Sequence, residues 1–477
     1  MLQGDHAHRR RKLGVRSALI AAGAAGAFCL PVVPALAQTG PVSPTPVAGT
    51  PTLVATGTTE EIRQIADCNG TMYAVGTFTQ ISGWNGSATQ TFTRNHIFRF
   101  SDTSPFTVDP TWDPNVNGTV DTIAFNSNCT TAYLGGHFTT VGGGAAKNIA
   151  AVNTTTGALV AGFKDNASGE VDTLAVANGH LLAGGTFKGI NGSTAHPYFA
   201  SLSLTTGQDD GFALPSISGT YSYPGVQSNP TKVYNQQLSP VPVGGHLMDL
   251  VEGDFTSVGT AKRQQIFMLD LSNTPPTVTG WSSPEFDGSK GNLPSGYPYQ
   301  CSTKEAFYIR AAAWSPDGST VYTAATGFHP WNLSSSGPRT GLCDSVAAFS
   351  SGQSEQLHKW INYTGCDSLY SVAADSSAVY IAGHERWADN INGCNAPGTG
   401  SLPAPGLGAF YPGPTPPAGT LIENTAHTAG LYSRSRGNGA DDLLVTSAGL
   451  WVASDNFGGN TSCGGQPGFS GICFLPY

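Results

Sequence analysis

The sequence predicts an all-β protein: a seven-bladed β-propeller of four-stranded antiparallel blades, its ring closed by an N-terminal strand. Three observations carry that expectation. A short phrase, a strand ending in a tight glycine turn, returns seven times, with its glycine-equivalent position at 76, 136, 185, 253, 325, 383 and 454. Repeats of about 50 to 70 residues made of short strands and turns stack into propellers, because one meander cannot bury both of its faces alone. Between the turns lie short runs rich in Val, Ile, Thr and aromatics, bounded by Asn, Gly, Asp and Thr, the composition of strands. No amphipathic helical pattern interrupts them.

From the N-terminus, residues 1–37 have the form of a secretory signal. Arg9, Arg10, Arg11, Lys12 and Arg16 precede an apolar stretch at 18–30, and Ala-Leu-Ala at 35–37 offers a small-residue cleavage site. That stretch is too short and too rich in Ala and Gly to span a bilayer. No second apolar run of spanning length follows, so a released extracellular product without a membrane anchor is expected. Residues 38–56, with Pro41, Pro44, Pro46 and Pro51, predict an extended or disordered lead-in that supplies the closing strand. Residues 57–477 form the propeller domain.

Removing the leader takes five basic residues and one acid from the chain's 22 Lys+Arg and 31 Asp+Glu, leaving a net charge near −13. Such a chain is poorly suited to nucleic acid or an anionic membrane. Charged residues make up only 11% of the whole chain, so Thr, Ser, Asn and Gly must supply the polar surface. Of nine cysteines, Cys29 leaves with the leader. The remaining eight, in an exported chain, predict disulfides. Cys301 with Cys343, Cys366 with Cys394, and Cys463 with Cys473 would each staple loops within one blade. Cys68 and Cys129, at equivalent turns of blades one and two, could bridge those blades. No pair has the close spacing of a zinc or redox site. No cofactor is expected, and a structural cation is left open.

Each turn phrase is one strand of a longer unit. A preceding strand recurs at 62–66, 120–124, 171–175, 309–313, 369–373 and 440–444, its fourth copy blurred within 231–245. A third strand follows at 97–100, 149–152, 199–202, 266–269, 346–349, 407–410 and 472–475, and a fourth carries Trp112, Phe163, Phe212, Trp281 or Trp360. The last repeat ends at its third strand, so its outer strand is expected from the region 47–60, which would cover an otherwise exposed edge.

Two groups of motifs resemble a known family. Gly-Gly-x-Phe-Thr-x-Val-Gly-Gly at 135–143, followed by Ile-Ala-x-x-Asn-x-x-Thr-Gly at 149–157, resembles the delta-sixty repeat propellers of bacterial secreted proteins. Segments 360–365, 369–372, 383–387 and 449–455 are similar to an exported actinobacterial branch of that group. The resemblance covers nearly all of 57–477. It implies the fold and export, and hands over no reaction.

In such a fold, connections between blades and between second and third strands leave from one end. Nearly every long insertion belongs to that class: 214–238, 282–306, 328–344, 388–405, 411–439 and 457–471. Long loops on a rigid scaffold are where recognition usually lives. Blade six offers His384, Glu385, Arg386, Trp387 and Asp389 there, and blade five offers Phe328, His329 and Trp331. In these two blades Glu385 and Gly327 replace the usual turn Phe. Trp and His beside a carboxylate suit sugar stacking with hydrogen bonding. They equally suit a loop plug in which Arg386 pairs with a neighbouring acid and Trp387 caps the core. A second group is the second residue of each innermost strand: Arg63, Asp121, Asp172, Arg310, Tyr370 and Asp441. In register, these ring the channel mouth, either as acid, base or cation ligands or as salt bridges between blades. Zincin, G-x-S-x-G and phosphate-loop motifs are absent.

The expected function is therefore a secreted, disulfide-stapled monomer that binds an extracellular glycan or protein partner through its loop-rich face. The alternative is a polysaccharide-active hydrolase or lyase at the channel mouth, with Glu385, Asp441, Asp121 and His384 as candidate catalytic groups. An exported surface-layer component is a third possibility. Fold alone does not choose among them.

Overall fold

Short strands joined by tight turns pair with their sequence neighbours, and here that local pairing generates nearly all the architecture. The computed structural model describes residues 40–57, 60–222, 229–287, 301, 305–328, 341–414, 416–422, 439–456, 462–464 and 466–477. Among them the only helix is one 3-10 turn, Pro284–Asp287.

Seven antiparallel meanders follow one another. The first is Glu61–Cys68, Thr71–Thr77 and Ile97–Ser101; the second Thr119–Phe125, Thr131–His137 and Ile149–Asn153; the third Val171–Ala177, His180–Gly185 and Phe199–Ser203. The fourth is Val233–Leu238, Met248–Gly253, Ile266–Asp270 and Thr277–Val278; the fifth Tyr308–Trp314, Thr320–Thr326, Ser345–Ser350 and Trp360–Tyr363. The sixth is Leu369–Ala374, Val379–Gly383 and Leu407–Phe410; the seventh Ala440–Thr446, Gly449–Ser454 and Ile472–Pro476.

Only the fourth and fifth sheets carry a fourth laddered strand. In the first, second, third and sixth, the outer strand shrinks to one bridge: Phe100 with Val108, Val152 with Leu159, Leu202 with Asp209, and Phe410 with Leu421. Trp112, Phe163 and Phe212 follow the first three bridges by a few residues and are buried, as is Trp281 beyond the laddered strand Thr277–Val278.

The second strands are buried on both faces, and alternate residues serve different neighbours. Met72 and Ala74 pack with residues of the seventh sheet, whereas Tyr73 and Val75 pack with the second. Seven apolar clusters arise this way, each shared by two sheets. One joins Trp451, Ala453, Ile472 and Phe474 of the seventh sheet to Ile62, Phe98 and Phe100 of the first. Each fully buried Leu, Ile or Phe contributes about 1.5–3 kcal/mol.

The innermost strands are sheet edges, and side chains of the neighbouring sheet satisfy some of their free N–H groups. Ile123 N–H donates to Gln64 Oε1 (2.6 Å) and Leu174 N–H to Thr122 Oγ1 (3.1 Å). Between the seventh and first sheets the same device recurs, with Ile65 N–H donating to Asp442 Oδ2 (2.9 Å).

The N-terminal segment is ordered rather than loose. Ser43 N–H donates to Pro476 O (2.6 Å), Val47 N–H to Phe474 O (2.9 Å), and the Thr50 hydroxyl to Ile472 O (3.1 Å). Residues 43–50 therefore run beside the last strand, earlier in the chain than the 47–60 expected. Beyond them Leu53 N–H still donates to Ser470 O (2.9 Å), just before that strand, while Thr52–Leu53 also pairs with Gln80–Trp84 and Glu61–Cys68 is the first inner strand.

Four cysteine pairs stand at disulfide distance. The Cα separations are 5.9 Å for Cys68–Cys129, 5.6 Å for Cys301–Cys343, 4.6 Å for Cys366–Cys394 and 6.3 Å for Cys463–Cys473.

Candidate functional site: a ring of bulged residues

The pairing of each first strand with its second slips at the same place. The register skips one residue between Ile62 and Gln64, Val120 and Thr122, Val171 and Thr173, and Val233 and Asn235. It skips again between Ile309 and Ala311, Leu369 and Ser371, and Ala440 and Asp442. The residues left out of the ladder are Arg63, Asp121, Asp172, Tyr234, Arg310, Tyr370 and Asp441. A β-bulge re-aims the side chain of its extra residue and bends the strand.

The recurrent glycine explains how the bulge fits. A Cβ at Gly76 would stand 2.0 Å from Glu61 O, at Gly136 2.3 Å from Thr119 O, and at Gly185 2.0 Å from Glu170 O. At Gly253 and Gly383 the corresponding distances are 2.1 Å to Lys232 O and 2.4 Å to Ser368 O. The glycine thus makes room for the displaced backbone at the start of the inner strand. Ala325 and Ser454 hold this place in the fifth and seventh sheets.

All seven bulged residues line one cavity of about 390 Å³, together with Glu61, Lys232, Asp254, Tyr308 and Asp442. The bulges lie where the second strand leaves for the third, the end from which the long insertions depart. Burial sets the electrostatics. It raises the Asp172 carboxyl to about 7 and Asp254 to about 6. Asp441 is pushed well above the carboxylate range, chiefly by burial and then by Glu61 and Asp455. Asp121 is also raised by burial, with Arg63 working against the shift.

Two of the three lining cations are engaged with acids. The Arg63 guanidinium bonds Asp121 and lies 3.4 Å from Glu61 Oε2. Lys232 Nζ is 3.9 Å from Asp172 Oδ2 and 5.7 Å from the Tyr234 ring centroid. Arg310 lies over the Tyr370 ring at 5.3 Å, and among the described residues it makes no ion pair. The Tyr370 hydroxyl is 3.0 Å from His384 Nδ1.

The blade-six candidates are placed differently. Arg386 grips Asp367 with two bonds, Nε to Oδ2 at 2.8 Å and Nη2 to Oδ1 at 2.7 Å. Asp389 accepts from Asn362 Nδ2 (2.7 Å) and returns its N–H to Asn362 Oδ1 (2.9 Å). Trp387 pairs with Pro403 in a two-residue ladder. Glu385 is buried in the turn position filled by Phe78, Phe138, Phe187 and Phe255 elsewhere, and burial drives its carboxyl well above the ordinary range. Neither Glu385 nor His384 lines the cavity, whereas Asp121 and Asp441 do. His329 and Trp331 lie outside the described residues.

Sequence reasoning missed Tyr234 and Lys232. The fourth inner strand, Val233–Leu238, reads Val-Tyr-Asn-Gln-Gln-Leu, too polar to stand out as a strand. Its position relative to Gly253 was the one available signal. Among the described residues no group of three His, Cys, Asp or Glu side chains is placed to hold a metal ion, and no helix is long and apolar enough to cross a membrane.

These features define an all-β repeat protein of the β-propeller type. No family model matches the chain, and no curated protein matches it. Among solved structures it is similar to the WD40 repeats of RRP9, at 9% identity and a TM-score of 0.46, covering 90% of this chain and 98% of that one. It is similar to U3-55K at 9% identity and a TM-score of 0.44, covering 91% and 100% of the two chains. The WD40 β-propeller domain of Doa1 matches at 10% identity and 0.41, covering 89% and 96%.

Proposed function

We propose that the chain is a secreted β-propeller of the delta-sixty repeat kind, seven blades in a closed ring, that binds an extracellular glycan at its channel mouth. One observation carries the binding reading above the rest. Seven bulges at one register direct Arg, Asp and Tyr side chains into a single polar cavity. Arg63 with Asp121 and Lys232 with Asp172 tie neighbouring sheets together, whereas Arg310 makes no ion pair among the described residues and lies over Tyr370, facing the same cavity. Pockets of a few hundred Å³ suit small ligands, and tyrosines with carboxylates and carboxamides suit hydroxylated sugars. Closure of the ring is supported by the apolar cluster shared by the seventh and first sheets and by the Asp442–Ile65 bond. The signal-like leader and the four cysteine pairs support export.

A panel of extracellular and cell-wall glycans presented to the purified protein tests the reading. At least one class is expected to bind, and the combined changes Arg310→Ala and Tyr370→Ala are expected to weaken it at least tenfold. Binding that survives those changes would locate recognition elsewhere.

A second reading is favoured by the raised carboxyls of Asp172, Asp254 and Asp441 in the same cavity. Carboxyls held near neutrality are the raw material of general acids in glycoside hydrolases and polysaccharide lyases. Polysaccharide digests that release new reducing ends or unsaturated products, and lose them on Asp172→Asn, would select it.

A further inference from the structure

The channel mouth holds more acids than cations, and the imbalance narrows its ligand. Six carboxylates line the cavity (Glu61, Asp121, Asp172, Asp254, Asp441 and Asp442) against three cations. Arg63 is committed to Asp121 and Glu61, Asp442 accepts from Ile65, and Arg310 stacks on Tyr370. Between the third and fourth sheets Lys232 stands 3.9 Å from Asp172 Oδ2, while Asp254 has the Asn229 side chain as a hydrogen-bond partner and Lys232 and Arg310 within electrostatic reach.

Two buried oxygens there still lack a hydrogen bond. Asp172 Oδ2 accepts no hydrogen bond, and neither does Oδ1 of Asp254, a residue only 1% exposed. Both residues line the cavity. Buried acceptors demand donors, most strongly when they carry charge. Among the described residues no third acid, His or Cys completes a metal site around them. Asn229, Asn235 and Gln236 beside them offer both donors and acceptors, as a hydroxylated ring requires.

Building on the channel-mouth reading, we propose that the ligand is an amino sugar whose protonated primary amine seats against Asp172 and Asp254. An ammonium brings three donors and a full positive charge to the two oxygens that lack a hydrogen bond. Tyr234, Tyr308 and Tyr370, which line the cavity from the fourth to sixth sheets, then flank the sugar ring.

Calorimetric titration of the purified protein with glucosamine oligomers and with N-acetylglucosamine oligomers of equal length at pH 6.5 tests this, because the two differ only in the free amine. The free-amine oligomer is expected to bind at least tenfold more tightly. Combining Asp172→Asn with Asp254→Asn is expected to abolish that preference. Equal or tighter binding of the acetylated oligomer, still sensitive to Arg310→Ala and Tyr370→Ala, would overturn the amine assignment and leave the channel-mouth reading standing. A preference that survives the double asparagine change overturns it as well. So does competition by a lysine-rich peptide at equal affinity, which would mark a protein partner. Failure of both oligomers overturns the assignment, and the broader glycan panel then decides the channel reading separately.

Discussion

Asp249 occupies a place filled by Met72, Ala132, Leu181, Val321, Val379 and Leu450 in the other six sheets, and it is fully buried. Neither of its oxygens has a hydrogen-bond partner at normal distance, and burial drives its carboxyl well above the ordinary range against an opposing pull from the Gln237 backbone N–H. A carboxyl raised on folding contributes stability that is fully present below its unfolded value of about 3.9 and is lost as pH rises through the folded value. Asp249→Leu removes that loss. Its stability gain over the parent is therefore expected to grow from pH 5 to pH 8, as read by urea denaturation; a loss at pH 8 would contradict the assignment. Arg386 presents the opposite case. Its partner Asp367 has a fully buried side chain, so Arg386→Ala strands a charge, and a destabilisation of about 3–5 kcal/mol is expected in the same measurement. The pairing of Arg386 with an acid was legible in the sequence as a type of contact, but the acid was not. Asp367 approaches only because the sixth sheet folds its two loops together.

At the scale of the element, the glycine phrase was plain in the sequence and its cause was not. The glycine serves the bulge on the neighbouring strand, and a bulge leaves no mark in residue type when the extra residue is Arg in two copies, Asp in three and Tyr in two. The left-handed residue before the third strand is equally hidden. His96, Asn148, Tyr198 and Gln265 all have φ between 64 and 70°, and each carbonyl accepts from the turn glycine. Their side chains share no chemistry that a motif could capture. Gly185→Ala would press a methyl onto Glu170 O, and a loss of about 1–3 kcal/mol is expected on thermal or urea unfolding. In the fifth sheet a Cβ at Gly327 would meet Cys343 Cβ at 2.8 Å, so the Cys301–Cys343 bridge stands where the usual turn Phe would pack. Replacing both cysteines by alanine opens a loop with a sequence separation of 42. The expected cost is on the order of 4 kcal/mol by the chain-entropy model, measured against the parent in non-reducing urea.

For the whole molecule, the all-β class and repeat order followed from the sequence because strand pairing here is local. The reduced outer strands did not, since nothing in residue type separates Trp112, beyond a single bridge, from Trp281, beyond a two-residue ladder. The N-terminal segment was legible only as a stretch with a role in closure. Which residues pair depends on contacts more than 400 positions away in the chain, such as Thr50 with Ile472. A protein beginning at residue 51 loses fully buried Val42 and the bonds along the last strand, and it should be less stable by at least about 2 kcal/mol. Unchanged unfolding would show that the segment only decorates the seventh sheet.

The account's central claim is that the bulged residues form one ligand site. A crystal structure of the protein with a glycan selected from the panel tests it most directly. The predicted result is a sugar inside the channel mouth, touching bulged residues from at least three sheets, with Arg310 and Tyr370 among them. A sugar held on the outer rim, with no contact to Arg63, Asp121, Asp172, Tyr234, Arg310, Tyr370 or Asp441, would contradict it.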